Sequence, residues 1–244
     1  MSPKQAEVSM ILAVIQARMS STRLPGKVLK DVLGEPMVIR QLERISRSKL
    51  IDQIVVATST ETSDDPLAAA VEQAGYRVFR GSLDDVLSRF QTLRTELNPT
   101  HIVRLTADCP LTDPAVIDGI IEQHVATEVD YTSNVISRTF PRGLDAEVFT
   151  VAALDRLSAL DLSDDEHEHV TLGFYKRPGE FTLTNYAGAA DNSHLRWTVD
   201  NPEDYDFALW VYRELYPTKP NFGSSDILAL LERHPERILI EDGH

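Results

Sequence analysis

A chain of 244 residues with 42% hydrophobic content can bury one large α/β core or two small ones, which excludes disorder as its resting state. Its 24 basic and 38 acidic residues leave a net charge of −14, poor material for gripping nucleic acid, and a lone cysteine, Cys109, excludes an internal disulfide. No apolar run reaches membrane-spanning length and residues 1–10 lack the layout of a secretion signal, so a cytoplasmic protein with no membrane or nucleic acid partner is expected.

The first element, residues 10–16, is an apolar run rich in Ile, Leu and Val that reads as a strand buried on both faces. Its apolar character stops abruptly, and Arg18, Arg23 and Lys27 follow among Ser20, Ser21, Thr22, Pro25 and Gly26. Ligands of open α/β sheets sit outside the carboxyl ends of strands. Cations gathered there, against an acidic background, point to a loop that holds a polyanion. Residues 31–36 contain Gly34 and Pro36 and fit a turn; residues 37–48 place Met37, Val38, Leu42 and Ile45 at helical spacing. A second buried strand is predicted over 53–58. Ser63 or Asp64 is placed to cap the next helix, with Pro66 in its first turn and Gly75 as its stop.

The alternation continues with a strand over 76–79, a helix over 83–97 and a strand over 101–105 that runs into Thr106-Ala107-Asp108-Cys109-Pro110. Asp113-Pro114 then opens a helix to about residue 124. This rhythm predicts βαβ units in an α/β fold, a mostly parallel sheet flanked by helices. It changes after residue 129: a strand over 130–134, an irregular or hairpin segment over 140–149, helices over 151–160 and 165–175, strands over 181–186 and 195–199, and helices over 201–216 and 225–234. No repeat or low-complexity linker divides the chain. A single domain over 1–244 is expected, with an excursion at about 136–190.

The loop over 16–27 is neither a Walker A loop nor a dinucleotide fingerprint. Guanidinium and ammonium groups with backbone donors between them can also build a phosphate site, although the same composition describes a solvated basic loop. Asp108 and Asp200 each follow a predicted strand, a position suited to holding Mg²⁺ and equally suited to capping the next helix. The run Glu166-His167-Glu168-His169 lacks the H-E-x-x-H spacing of a zinc helix and reads as a solvated helix start. Cys109 has no evident basic partner and reads as a bystander. Arg142, Asp145, Ala146 and Glu147 lie in the excursion, where a substrate could be recognised or where charge simply decorates a surface hairpin.

The run QARMSSTRLPGK followed by LGEPM resembles the N-terminal signature of the sugar-acid cytidylyltransferases, which activate KDO and sialic acids as CMP derivatives. FRGSLDDVLSRF, VRLTADCPLTDP, FPRGLDAEVF, EHEHVT and RWTVDNPEDYD resemble the spore-coat polysaccharide biosynthesis (SpsF-like) branch. The resemblance spans residues 12 to about 216. It implies a nucleotide-diphospho-sugar transferase (GT-A/Rossmann-like) fold, with the excursion helping to form a homodimer. Arg18 and Lys27 match the catalytic residues that hold the triphosphate of CTP, with Ala17, Ser21 and Arg23 in the same loop, and Thr106 is also expected to bind the nucleotide. Asp108 and Asp200 match the Mg²⁺ ligands. Thr58-Ser59 and Arg80-Gly81-Ser82 fall where cytidine is usually recognised. Ala107 stands where relatives usually carry Gly, and its methyl disfavours positive φ. The acceptor is left to Arg142, Asp145, Glu147 and His169.

The activity so implied is transfer of CMP from CTP to a sugar acid or sugar-like acceptor with release of pyrophosphate, in surface polysaccharide biosynthesis. Use of another nucleotide such as GTP is the alternative among enzymes. A non-catalytic nucleotide-binding protein of the same fold is the alternative outside them.

Overall fold

The computed structural model describes residues 9–241, so most of the stretch read for a secretion signal lies outside the described residues. The apolar run becomes β1 (Ile11–Gln16), followed by the two-residue strands β2 (Asp31–Val32) and β3 (Glu35–Pro36) and by α1 (Met37–Ile45). Then come β4 (Gln53–Ser59), α2 (Asp65–Gln73), β5 (Arg77–Gly81), α3 (Val86–Leu97), β6 (His101–Thr106) and α4 (Pro114–Thr127). The second half carries β7 (Tyr131–Ser133), β8 (Glu147–Thr150), α5 (Val151–Ser158), α6 (Asp164–Glu168), α7 (Leu172–Tyr175), β9 (Leu183–Asn185), α8 (Pro202–Leu215) and α9 (Ser224–Arg233).

Seven strands form one sheet in the order β5-β4-β1-β6-β8-β7-β9. The pairs β5–β4, β4–β1 and β1–β6 are parallel, whereas β8 runs antiparallel to both β6 and β7. Alternate residues of β1 serve two cores, as the period-two geometry of a strand requires. Ala13 and Ile15 pack with α1, α2, α4, α8 and α9 on one face, and Leu12 and Val14 pack with α3, α5 and α7 on the other. After β1 the chain crosses towards β4, and after β6 it turns the other way. Those connections diverge between the carboxyl ends of β1 and β6, and that divergence leaves a crevice. Among the described residues no helix is long and apolar enough to cross a membrane.

Three expectations are corrected. The helix expected over 165–175 is two short helices, because the β-branched Val170 turns the chain between them at φ 32°, a left-handed conformation. The strand expected over 195–199 does not join the sheet. Its backbone is taken by loops instead: Trp197 N–H donates to Arg142 O (2.7 Å), Arg196 N–H to Leu239 O (3.0 Å) and Val199 N–H to Asp108 O (2.7 Å). Gly143 lets these segments meet, since a Cβ there would lie 2.6 Å from Thr198 N and its φ is 109°. Asp64, read as a possible helix cap, makes no cap at all.

Candidate active site

The carboxyl ends of β1 and β6 and the loops that follow them line a cavity of about 380 Å³, within the range of small-ligand sites. Backbone bonds carry the sheet into both loops: Ala17 N–H donates to Ala57 O (3.1 Å) and Ala107 N–H to Gln16 O (2.9 Å). Ala107 is not among the described residues with positive φ, so its methyl is compatible with the path to Asp108. The loop after β1 closes on itself through Gly26, at φ 67°, whose N–H donates to Met19 O (3.1 Å). It then starts a single turn of 3₁₀ helix at Lys27.

Lys27 stands at the centre. Its Nζ donates to Val199 O (2.6 Å) and Asp200 Oδ1 (3.0 Å) and lies 3.6 Å from Asp108 Oδ2. The two aspartates, 92 positions apart in the chain, meet because Val199 N–H is bonded to Asp108 O. Neither caps a helix. Asp113 caps α4 by accepting from Ala115 N–H (2.9 Å), and Asn201 caps α8 by accepting from Asp204 N–H (3.0 Å). The capping reading of Asp108 and Asp200 is therefore set aside. Asp200 Oδ2 is held by Arg196 (2.8 Å) and Arg23 (3.2 Å). Burial disfavours its charge, but Lys27, Arg196 and Arg23 outweigh that and keep the carboxyl below the usual carboxylate range. Asp108 Oδ1 accepts from Thr106 Oγ1 (2.6 Å). The buried Cys109 thiol is pushed well up, by burial first and by Asp108 next, so it is protonated at neutral pH and no nucleophile.

Ala17, Arg18, Ser21, Arg23, Lys27, Thr106, Asp108, His169 and Asp200 all line the cavity. Arg18 reaches across it to Glu168 on α6, at 3.6 Å. The other expected site residues lie outside the lining. Thr58 is buried and donates to Asp64 (2.9 Å), Arg80 pairs with Asp65 (2.7 Å), and Ser82 Oγ accepts from Asp85 N–H (3.1 Å). Arg142 pairs with Glu241 (2.8 Å), and Asp145 with Arg138 (2.5 Å). Glu147 binds Arg104 and accepts from Tyr131 Oη (2.5 Å). Among the described residues no cluster of three His, Cys, Asp or Glu side chains has the geometry of a metal centre, and the run over 166–169 disperses. Glu166 goes to Arg177 and His167 to Asp85.

The structure brings to the site residues that the sequence did not place there. Buried Asp64 accepts from Met19 N–H (2.7 Å), Thr58 Oγ1 (2.9 Å), Ser59 N–H (3.1 Å) and Ser59 Oγ (2.5 Å), tying the loop after β1 to the end of β4. Burial raises its carboxyl but these donors prevail and hold it below the usual range. Arg89 lines the cavity from α3 and donates to the carbonyls of Ser82 (2.6 Å) and Leu83 (3.1 Å). Arg104 lines it from β6, bound to Gln16, Glu147 and Thr171. A charged residue inside the otherwise apolar run of β6 was the available signal for Arg104. Asp64 had no separate signal, because its place two residues before Pro66 is also that of a cap.

The family model described as cytidylyltransferase matches residues 12–215. The chain belongs to the cytidylyltransferase family. It is 34% identical over 234 residues to the spore coat polysaccharide biosynthesis protein SpsF of Bacillus subtilis, covering 93% of this chain and 95% of that protein. The solved structure of a cytidylyltransferase from Leptospira borgpetersenii serovar Hardjo-bovis superposes with a TM-score of 0.90 at 30% identity, covering 97% of this chain and 99% of that one. A CMP:2-keto-3-deoxy-manno-octonic acid synthetase solved in complex with CTP shares the fold, with a TM-score of 0.65 at 18% identity over 84% of this chain and 99% of that one.

Proposed function

We propose that this cytidylyltransferase is a cytoplasmic enzyme that transfers CMP from CTP to a sugar acid or sugar-like acceptor, releasing pyrophosphate, in glycan biosynthesis. The observation that carries the reading is the meeting of Lys27, Asp108 and Asp200 beneath a loop that bears Arg18 and Arg23, at the crevice where the sheet order reverses. The surface-polysaccharide setting of the Bacillus subtilis relative and the CTP bound to the distant synthetase support it.

An acceptor oxygen attacks the α-phosphate of CTP, and the bond to pyrophosphate breaks. Negative charge grows on the leaving group, so the protein contributes mainly position and countercharge. Arg18, Arg23 and Lys27 bind the polyphosphate and offset that charge. Asp108 and Asp200 offer hard oxygen donors that converge on the Lys27 ammonium, a set that would suit Mg²⁺. When bound, the ion supplies Lewis-acid stabilisation of phosphate oxygens. Across the cavity, Arg104, Glu168 and His169 face the acceptor, with Glu147 orienting Arg104 from behind. Arg142 and Asp145, held by Glu241 and Arg138, shape the excursion over 136–190, which we assign to acceptor recognition and homodimer contact.

A pyrophosphate-release assay with CTP and Mg²⁺ against nonulosonic acids, other sugar acids and sugar phosphates tests the reading. Turnover with an acid and CTP is the expected result. Turnover with GTP in place of CTP transfers the reading to another nucleotide, and thermal stabilisation by CTP without turnover on any acceptor replaces it with a binding role.

A further inference from the structure

We propose that Lys27 is a built-in cation that occupies the two-carboxylate site until a triphosphate draws it away, so that metal and nucleotide enter together. The inference rests on the reading that Asp108 and Asp200 hold the metal. Only one oxygen of each carboxylate is turned towards the shared point. Asp200 Oδ2 is engaged by Arg196 and Arg23, and Asp108 Oδ1 accepts from Thr106, which leaves Asp200 Oδ1 and Asp108 Oδ2. Both face the Lys27 ammonium, at 3.0 and 3.6 Å, and Val199 O fixes it there at 2.6 Å. The Lys27 side chain is only 12% exposed, so solvent screens these contacts weakly.

Two consequences follow from charge alone. Without a cation between them the two carboxylates would repel, and Lys27 removes that cost. A divalent ion bound to the same two oxygens would stand beside the ammonium, and like charges at such separations repel strongly even at an effective dielectric of about 20. Metal alone is thus disfavoured. A polyphosphate changes the balance by offering the ammonium another anion. Lysine suits this role, being a point charge on a flexible four-carbon stem. Arg23, with a side chain 65% exposed, is free to turn to the same anion. Arg196 stays, because Asp204 (3.0 Å) and Glu241 (2.7 Å) fix its other nitrogens. The coupling is reciprocal: whatever nucleotide does for metal affinity, metal does for nucleotide affinity.

The test is binding of Mn²⁺ alone, followed by its electron paramagnetic resonance signal, to the wild type, Lys27→Met and Lys27→Gln at neutral pH. The Gln variant keeps a donor for Val199 O. Both variants should bind Mn²⁺ at least about tenfold tighter than the wild type, and the gain should vanish when Asp200→Asn is added. Unchanged or weaker Mn²⁺ binding in the folded variants, with the wild type still binding Mn²⁺ plus CTP through Asp200, overturns the place-holder role and leaves the metal site standing. Binding that never depends on Asp108 or Asp200, with or without CTP, overturns both. Crystals of the wild type soaked with Mn²⁺ alone give a check that needs no variant. Lys27 should remain between the carboxylates, and an ion seated there with Lys27 unmoved contradicts the inference.

Discussion

The wall of the cleft that carries Arg18, Lys27 and Asp108 and the wall that carries Glu168 and His169 face each other, yet different forces hold them. The first hangs from the carboxyl ends of parallel strands whose Leu12, Val14, Val55 and Val103 are fully buried. Backbone bonds extend the sheet into its loops, and Asp64 gathers four donors beneath them. The second is built from α6 and α7, helices of five and four residues joined at the strained Val170. Side-chain contacts steady it: the ion pairs Glu166 with Arg177 and Glu168 with Arg18 at 3.6 Å, and a hydrogen bond between His167 Nδ1 and Asp85 at 3.0 Å. A wall rooted in a sheet is preorganised and tolerates little change. A wall of short helices can vary exposed residues such as Glu168 at small cost to the fold, while the buried Glu166 anchors it, which suits the side that must choose among acceptors.

The largest effects should come from the first wall. Lys27→Ala and Asp108→Asn should each lower kcat for pyrophosphate release about 10²–10³-fold in proteins that still fold, whereas His169→Ala should act mainly on KM for the acceptor. An equal loss of kcat from His169→Ala would abolish the distinction. Asp64→Asn should destabilise the chain by roughly 2–4 kcal/mol in urea unfolding, because an amide NH₂ would face donors in a buried site.

Acid separates the two halves of the molecule by pH. His124 on α4 is buried against Thr132 of the antiparallel half, with Nδ1 2.8 Å from the Thr132 hydroxyl. Burial, and next the neighbouring His101, push it down to about 4. Its neutral form is the folded one, so its contribution is complete above its ordinary value of 6.5 and is lost as pH falls from there to about 4. That loss should amount to about 2–3 kcal/mol, and His124→Gln should flatten stability over the same window. Asp64, whose folded value lies below its ordinary 3.8, contributes stability above that value and loses it only as pH falls further. The antiparallel half should therefore weaken first on acidification, which hydrogen exchange at stepped pH would reveal. Least of all, Glu168→Ala should change stability by no more than about 0.5 kcal/mol, since both members of its pair with Arg18 are about half exposed.

The same division governs how much could be read from the residues. Strands β1, β4 and β6 and the helices that follow them were readable because long apolar runs and helical spacing obey local rules. The cationic loop was readable because it lies at a strand end. The site formed by Asp108 and Asp200 could be suspected but not closed. What joins them is a backbone bond from Val199 to Asp108, and a backbone bond between distant segments leaves no mark in residue type. The segment over 195–199 alternates like a strand, yet loops claim its donors. Val170 breaks a helix without a glycine or proline to announce it. Arg196 looks like an ordinary surface cation until Asp200, Asp204 and Glu241 are found around it.

Pyrophosphate release from CTP and Mg²⁺, measured on one acid acceptor for the wild type, Lys27→Ala, Asp108→Asn and Asp200→Asn side by side, tests whether these three residues form the site of nucleotidyl transfer. Turnover in the wild type and a loss of about 10²–10³-fold in each variant are expected, with melting temperatures showing that all remain folded. Variants that turn over like the wild type would contradict it.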